Sequence, residues 1–481
     1  MNKKMVFRAV GKISQILSVL LLVPAIVAVI YGEMKQIFAF VITAAVSFGV
    51  GSLISLITKT KNRVIYAKDG FAITALAWII LAVIGAIPFV ISGDISSYVD
   101  AVFETASGFT TTGASVVTNV EGLSRAALFW RSFTHWIGGM GVLVFVMALM
   151  PNFTDRSIHI MRAEMPGPIV GKLVPRVKDT AKILYLIYIV LTMLQIVLLF
   201  CGGMPIFDSI VHSFGTAGTG GFSIKSDGLA SYSPYCQWVI TIFMLIFGVN
   251  FNLYYLLLMK KVGTAVKSGE LWAYLSLAVV STIFITFNIM SQYSNFADSL
   301  RYSAFQVSSI MTTTGFSTTD FNSWPDFSKS ILVILMFCGG CAGSTAGGLK
   351  IARVVMLFKN IKREIRQMIH KRSVNAVRFE GKVVDETTFS GVMTYLAIYL
   401  ICVLLIFLLL SLEPFGFETN FTATVACFNN VGPGLAGVGP TSNYAAYSDL
   451  SKILLSFAML FGRLEIFPML IVLSPRTWLK K

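Results

Sequence analysis

Charge is scarce in this chain. Only 13% of its 481 residues are Asp, Glu, Lys or Arg, against 56% hydrophobic, and mean hydropathy is +0.77. A water-soluble fold of this length needs far more polar surface, which excludes that class. Cysteine is sparse too. The six (Cys201, Cys236, Cys338, Cys341, Cys402, Cys427) show no disulfide-framework spacing. Cys338 and Cys341 form a CxxC with no second pair and no neighbouring His, and read as small packing residues. The four histidines are scattered: His159, His212 and His370 make no metal pattern, and His135 reads as a satisfied packing residue. With no convergent acid, base or metal ligands, a membrane enzyme is excluded. No GxGxxG follows a strand, and no Lys-Ser/Thr ending follows Gly347-Gly348. The chain is therefore expected to bind no nucleotide itself.

What the chain has is apolar length. A bilayer-spanning helix needs about 20 apolar residues. Such runs, some weakened by Gly or polar residues, lie at Leu17–Tyr31, Ile37–Ile57, Phe71–Ile91, Leu128–Met150, Ile183–Cys201, Trp238–Met259, Leu271–Ile289, Ile331–Cys341, Val392–Leu412 and Ile453–Leu473. The net charge of +15 follows these runs rather than a nucleic-acid patch. Lys3, Lys4, Arg8 and Lys12 precede the first run, and Lys59, Lys61, Arg63 and Lys68 follow the second. Arg156, Arg162, Lys172, Arg176, Lys178 and Lys182 follow the fourth, and Lys260, Lys261 and Lys267 the sixth. The largest cluster is Lys350–Lys382, and Arg476, Lys480 and Lys481 close the chain. Alternate loops carry acids instead, among them Asp94, Asp100, Glu104, Asp208, Asp298 and Glu418. The positive-inside rule puts both termini in the cytoplasm. The basic, apolar N-terminus has no small-x-small cleavage site and reads as a retained helix rather than a signal peptide.

One pattern recurs roughly every hundred residues. Thr110–Ser115 reads TTTGAS, Gly218–Ser223 reads GTGGFS, Thr312–Ser317 reads TTTGFS, and Asn429–Gly434 reads NNVGPG, the most divergent. Each segment lies on the acidic side, after an apolar run and a stretch too short to cross: Asp100–Phe109, Asp208–Ala217, Tyr302–Met311, Thr419–Phe428. Asp100, Asp208 and Thr419 or Asn420 are the expected helix N-caps, with Tyr302 a weaker start. A further run follows each segment and carries a glycine: Gly138, Gly248, Gly339, Gly462. The unit is helix, re-entrant half-helix and loop, helix, four times. Irregular backbone at membrane depth must line a cavity or be buried in protein. Half-helices aim their negative ends at a shared axis. Loop carbonyls there can replace the water shell of a dehydrated cation. The expected fold is an all-α polytopic membrane protein: four helix–pore-loop–helix repeats around a central pore, plus two extra N-terminal transmembrane helices. The divisions are 1–68 for the two-helix extension and 69–181, 182–268, 269–388 and 389–481 for the repeats.

These residues resemble the Trk/Ktr/HKT superfamily of potassium transporters over about Phe71–Leu473. The two extra spans make the chain most similar to the TrkH/TrkG branch rather than the shorter KtrB. The resemblance implies a K+ filter formed by Thr111, Thr112, Gly113, Gly220, Gly221, Thr313, Thr314, Gly315, Asn430, Val431 and Gly432. A Ser at the first filter glycine goes with sodium transport in the plant branch, so Gly113 implies potassium preference. It also implies an intramembrane gate in the Gly-rich break Phe337–Gly348, through Gly339, Gly340, Gly343, Ser344, Thr345, Gly347 and Gly348. Arg463 is its electrostatic partner below the filter. A small-residue packing seam, and for Arg463 a pairing with Glu465, are the plainer readings. Glu104 and Gln306, at equivalent half-helix positions, are expected to hold filter loops by hydrogen bonds. The resemblance further implies a homodimer and, docked on the basic segment from Lys350 to Lys382, a cytosolic nucleotide-binding RCK subunit like TrkA. That segment could otherwise meet anionic lipid. The expected function is potassium uptake across a bacterial cytoplasmic (inner) membrane, with K+ as the transported ion. Coupled symport with Na+ or H+, as in KtrB, stays open as the alternative.

Overall fold

A computed structural model describes residues 1–59, 66–141, 177–370, 377–380 and 382–478. The end of the Leu128–Met150 run lies outside these residues. So do Lys61, Arg63, Arg156, His159, Arg162, Lys172, Arg176, Lys480, Lys481 and part of the Lys350–Lys382 cluster.

Helix α1 (Lys3–Leu20) and helix α2 (Leu22–Tyr31) run on as one span from Lys3 to Tyr31. The basic residues Lys3, Lys4, Arg8 and Lys12 are therefore inside the first helix, not ahead of it. The reason is local: the Asn2 side chain caps the helix by accepting from the Met5 N–H, so the helix starts before its apolar part. Helix α3 (Met34–Ile57) returns against α1. Their seam is made of small residues. A Cβ on Gly51 would stand 2.6 Å from the Gly11 carbonyl and 3.0 Å from the Ser14 Cβ. The Ser47 hydroxyl donates to the Ser14 carbonyl at 2.9 Å. Small faces and hydroxyls are what let helices pack closely where no water drives them together.

Four like units follow. Their first helices are α4 (Ala67–Ser92), α7 (Val177–Cys201), α11 (Gly269–Ile289) and α15 (Glu386–Leu410), each long enough to cross a bilayer. The half-helices are α5 (Tyr98–Phe109), α8 (Ile206–Gly218), α12 (Phe296–Met311) and α16 (Phe417–Phe428). They begin earlier than the sequence suggests. The N-caps are Ser97, Pro205, Asn295 and Gly416. Asp100 and Asp208 instead lie in the first turn, where their charge still meets the positive helix end. The third half-helix has a strong start: the Asn295 side chain accepts from the Asp298 N–H at 2.8 Å.

The second helices of repeats two, three and four are broken and that of repeat one ends at Gly139, so among the described residues the ten apolar runs do not become ten continuous spans. Six described helices are long and apolar enough to cross, or seven if one bent pair counts as a span. Helix α6 (Arg125–Gly139) stops just past Gly138. Helices α9 (Pro234–Phe247) and α10 (Phe251–Leu258) meet at 89° around Gly248. Helices α13 (Asp326–Met336) and α14 (Ile351–Ile369) are separated by the Gly-rich stretch. Helices α17 (Asp449–Arg463) and α18 (Phe467–Leu473) are divided just past Gly462. A two-stranded hairpin, β1 (Arg378–Phe379) and β2 (Lys382–Val383), precedes α15.

The units close into a ring. Helix α6 packs on α8, α9 on α12, α13 on α16, and α17 on α5. The second helix of each repeat thus leans on the half-helix of the next, and the fourth returns to the first. Gly138 and Gly462 permit the closest approach: a Cβ on either would overlap the last carbonyl of its own half-helix, Phe109 or Phe428.

The α1–α3 seam is open to test. Gly51→Leu must push α1 away from α3, at a cost of about 1–3 kcal/mol for overpacking. The thermal unfolding midpoint of the detergent-solubilised protein is expected to fall. An unchanged midpoint would show that the seam carries no close packing.

Candidate functional site

Each half-helix ends in the same way. The residue two before the recurring glycine takes the left-handed conformation: Thr111, Thr219, Thr313 and Asn430, all at φ +56°. The next N–H then reaches back five residues, from Thr112 to Ser107, Gly220 to Gly215, Thr314 to Ser309 and Val431 to Ala426, at 2.8–2.9 Å. This is a Schellman-type ending with Thr or Asn where Gly is usual. A β-branched residue there is strained, at a cost of order 1–3 kcal/mol. The surroundings impose it: all four side chains are fully buried. The N–H groups are spent on the helix ends, which leaves the carbonyls to face elsewhere.

Where they face is recorded by the glycines. Gly113, Gly221, Gly315 and Gly432 all have positive φ, from +79° to +94°. A Cβ on Gly113 would meet the Gly220 carbonyl; on Gly221, that of Thr314; on Gly315, that of Val431; on Gly432, that of Thr112. The contacts run once around the four repeats and close. Thr112, Gly220, Thr314 and Val431 therefore contribute four carbonyls to one ring. A cavity of about 140 Å3 opens on the ring, and the four glycines are among its lining residues.

Side chains behind the ring differ by repeat. Glu104 accepts from the Ser115 hydroxyl at 2.9 Å and the Val116 N–H at 3.0 Å, and pairs with Arg131 at 2.7 Å. His135 Nδ1 donates to the Gly108 carbonyl at 2.8 Å, so its Nε2 is the acceptor for the Phe222 N–H at 3.4 Å. It is a satisfied packing histidine that joins two repeats. His212 Nδ1 donates to the Asp208 carbonyl, and its Nε2 lies 3.2 Å from the Ser223 hydroxyl. Gln306 does not hold its loop: neither side-chain polar atom has a partner among the described residues. Its strand is held otherwise, by the Ser309 hydroxyl on the Phe316 carbonyl and the Leu229 N–H on the Ser317 carbonyl. In the fourth repeat the Thr422 hydroxyl accepts from the Leu435 N–H, and Tyr444 donates to the Gly432 carbonyl.

The Gly-rich break lies directly below. Gly339 and Gly340 are pinned at its neck, where the Gly339 N–H donates to Leu349 and the Ile351 N–H to Gly340. The Cys341 N–H donates to the Gly248 carbonyl, and the Phe251 N–H to Gly343. Ser344 folds back on the Cys341 carbonyl. The Gly347 N–H donates to the Thr313 hydroxyl at 2.7 Å, one residue below the ring. A Cβ on Gly347 or Gly348 would press on Asn430 or Asn429. The loop therefore touches the repeat-two helix break and the ends of half-helices three and four.

Arg463 does not pair with Glu465. It donates to the Thr345 carbonyl at 2.8 Å and to the Gly138 and Gly139 carbonyls at 2.5 and 2.7 Å. The helix ends at Arg463, which turns its side chain toward the axis while Glu465, past the break, faces α14. There Glu465 meets Arg353 at 2.6 Å. Sequence reading missed Arg353, Lys350 and Glu270. Lys350 is 1% exposed and donates to the Ala346 carbonyl; Glu270 accepts the Ala342 N–H at 2.6 Å. The available signal was charge at the edge of apolar runs, but Lys350 and Arg353 merge into the basic cluster that follows. Three basic side chains, Arg463, Arg353 and Lys350, and two acidic ones, Glu465 and Glu270, thus lie around the loop.

Comparison with known proteins matches this geometry to one family. The family TrkH, cation transport protein, matches residues 36–270 and 255–478. The chain is 35% identical to the Trk system potassium uptake protein TrkH of Salmonella typhimurium, over 98% of this chain and 99% of that protein. It is 35% identical to TrkG of Escherichia coli K12, over 96% of each. The crystal structure of the potassium transporter TrkH from Vibrio parahaemolyticus superposes with a TM-score of 0.89 at 32% identity, covering all of both chains.

The bond between loop and half-helix can be tested alone. Thr313→Val keeps the shape but leaves the buried Gly347 N–H without its acceptor, at a cost of about 1–3 kcal/mol. Hydrogen–deuterium exchange over residues 344–349 is expected to quicken about tenfold or more. Exchange at the native rate would show that this contact does not hold the loop.

Proposed function

The chain belongs to the TrkH family of cation transport proteins and serves potassium uptake through a membrane, and we propose that K+ crosses through the ring of Thr112, Gly220, Thr314 and Val431 carbonyls. The observation that carries this is the closed cycle of glycine–carbonyl contacts, which places four oxygens from four repeats around one axis. Four half-helices end at that ring, so their negative ends favour a cation. The carbonyls stand in for the water that a small channel strips from the ion. Thr111, Gly221, Gly315 and the other residues of the four segments build the wall; the Thr111 hydroxyl has no protein partner among the described residues and offers a further acceptor. The fourth strand keeps Gly432 but has Asn430 and Val431 before it and Pro433 after it, so discrimination is looser than in a ring of four identical strands. The repeats are parallel about one axis, unlike the inverted repeats of rocking carriers, which favours passage through a central pore.

The loop from Gly339 to Gly348 acts as a gate. It is hydrogen-bonded in place under the ring, and Arg463 fixes its Thr345 carbonyl while adding positive charge to the path. Opening requires the loop to leave Thr313 and Arg463. The signal comes through α14, which continues from the loop and carries exposed Lys359, Lys362 and Arg366. The relatives are named as components of a Trk system. A separate cytosolic nucleotide-binding subunit of the TrkA kind docks on this basic face, and the protein works as a homodimer. Both termini lie in the cytoplasm of a bacterial inner membrane.

Liposome flux tests the reading. Gly113→Ser is expected to lower the preference for K+ over Na+. Deletion of Ala342–Ala346, and separately Arg463→Ala, should raise K+ flux. Unchanged preference would sink the filter assignment, and flux that does not rise in either gate variant would sink the gate.

A further inference from the structure

Among the four seams between filter strands, one is built differently. Arg131 lies on α6, and the positions in register with it in the other repeats are Thr241, Leu332 and Leu455. Arg131 and Glu104 are both nearly fully buried, 3% and 1% exposed. The guanidinium makes four contacts at once. Its Nε donates to Glu104 at 2.7 Å, one terminal nitrogen to the Ser115 hydroxyl at 3.2 Å, and the other to the Ser223 carbonyl at 3.3 Å. Its plane covers the Phe222 ring, 4.1 Å from the centroid. Ser115 and Ser223 each stand two residues beyond a filter glycine, Gly113 and Gly221. One side chain thus grips the outer ends of two adjacent filter strands. Glu104 grips the first of them a second time, through the Val116 N–H.

Burying an ion pair is a poor way to gain stability. Desolvation of both charges offsets most of their attraction, and an apolar pair of the same volume is often as stable. A planar fork gives geometry instead: its donors are fixed relative to one another, which Lys cannot match. At the same level strands two and three are joined by the Leu229 N–H on the Ser317 carbonyl, and strands four and one by the Tyr444 N–H on the Ser115 carbonyl; the Lys452–Asp100 ion pair joins repeats four and one through their helices, not their strands.

We infer that Arg131 and Glu104 are specificity-determining positioning residues. They fix the spacing of filter strands one and two, and so decide how well the ring distinguishes K+ from the smaller Na+. They do not touch the ion. A ring free to contract at this seam would fit its carbonyls around Na+, and selectivity falls without loss of the pathway.

This rests on the four loops being the filter, and the experiment separates the two claims. The full chain is reconstituted in liposomes, and Rb+ uptake is measured with and without competing Na+. Glu104→Gln alone strands a buried guanidinium and endangers folding, so the main variant is the double Glu104→Gln with Arg131→Met, which removes both charges. Arg131→Lys is the second: it keeps the charge but loses the fork. Either variant that accumulates is expected to lower the Rb+/Na+ preference about fivefold or more, the effect of roughly 1 kcal/mol. Uptake without Na+ should stay within about twofold, a difference of under 0.5 kcal/mol. A merely structural role would reduce protein yield and uptake together and leave the preference unchanged, and that result overturns the inference. Gly113→Ser is run alongside. If it shifts the preference and the pair variants do not, the positioning role alone fails; if none of them shifts it, the filter assignment fails.

Discussion

A single methyl group on Gly113, Gly221, Gly315 or Gly432 would land on a carbonyl of the next repeat, and the rest of the structure depends on that exclusion. The strands approach until backbone meets backbone. At that separation only glycine fits, and only at positive φ. The carbonyl of the preceding residue then lies against the glycine of a neighbouring repeat, while its N–H is bonded to the half-helix end. Four strands doing this in sequence must close on themselves. Pore diameter is thereby set by backbone contact, which varies less than side-chain packing does.

Such closeness has structural consequences outward. The half-helices end in left-handed Thr or Asn, a strained conformation kept only because each is walled in completely. The second helices come so near that Gly138 and Gly462 leave no room for a side chain. All four of those helices then end, and their ends expose backbone groups. In repeat three the break is long enough to become a loop, and it uses the exposed groups of the others. Gly248 and Phe247 supply carbonyls, Gly138 and Gly139 hold Arg463, and Thr313 takes the Gly347 N–H. The loop is thus held by the same irregularities that the close approach of the four strands imposes.

Much of this was legible in the sequence because it rests on short-range rules. Apolar run length shows the first helices, and recurrence of a Gly after Thr or Asn shows four equivalent loops. The scarcity of Lys and Arg on alternate loops suggests a common side for them. Helix starts were harder. Asp100 and Asp208 are good cap residues, yet Ser97 and Pro205 lie at the starts, because tertiary packing sets where a buried half-helix begins. The breaks after Gly248 and Gly462 were invisible, since Phe251–Leu258 and Phe467–Leu473 are apolar enough to continue a span. Long-range pairings were also hidden. Arg463 beside Glu465 in sequence suggests a local ion pair, but the turn between them sends each to a different partner. Equivalent positions proved chemically unequal: Glu104 grips its strand, and Gln306 leaves that work to Ser309 and Leu229.

The central claim is that the Thr112, Gly220, Thr314 and Val431 carbonyls form one binding ring for a dehydrated cation. Crystals of the full chain grown in Rb+ test it most directly, because the ion marks its position by anomalous scattering. A peak is expected on the axis, about equally far from those four oxygens. Rb+ bound elsewhere in the protein with no peak at the ring would contradict the claim.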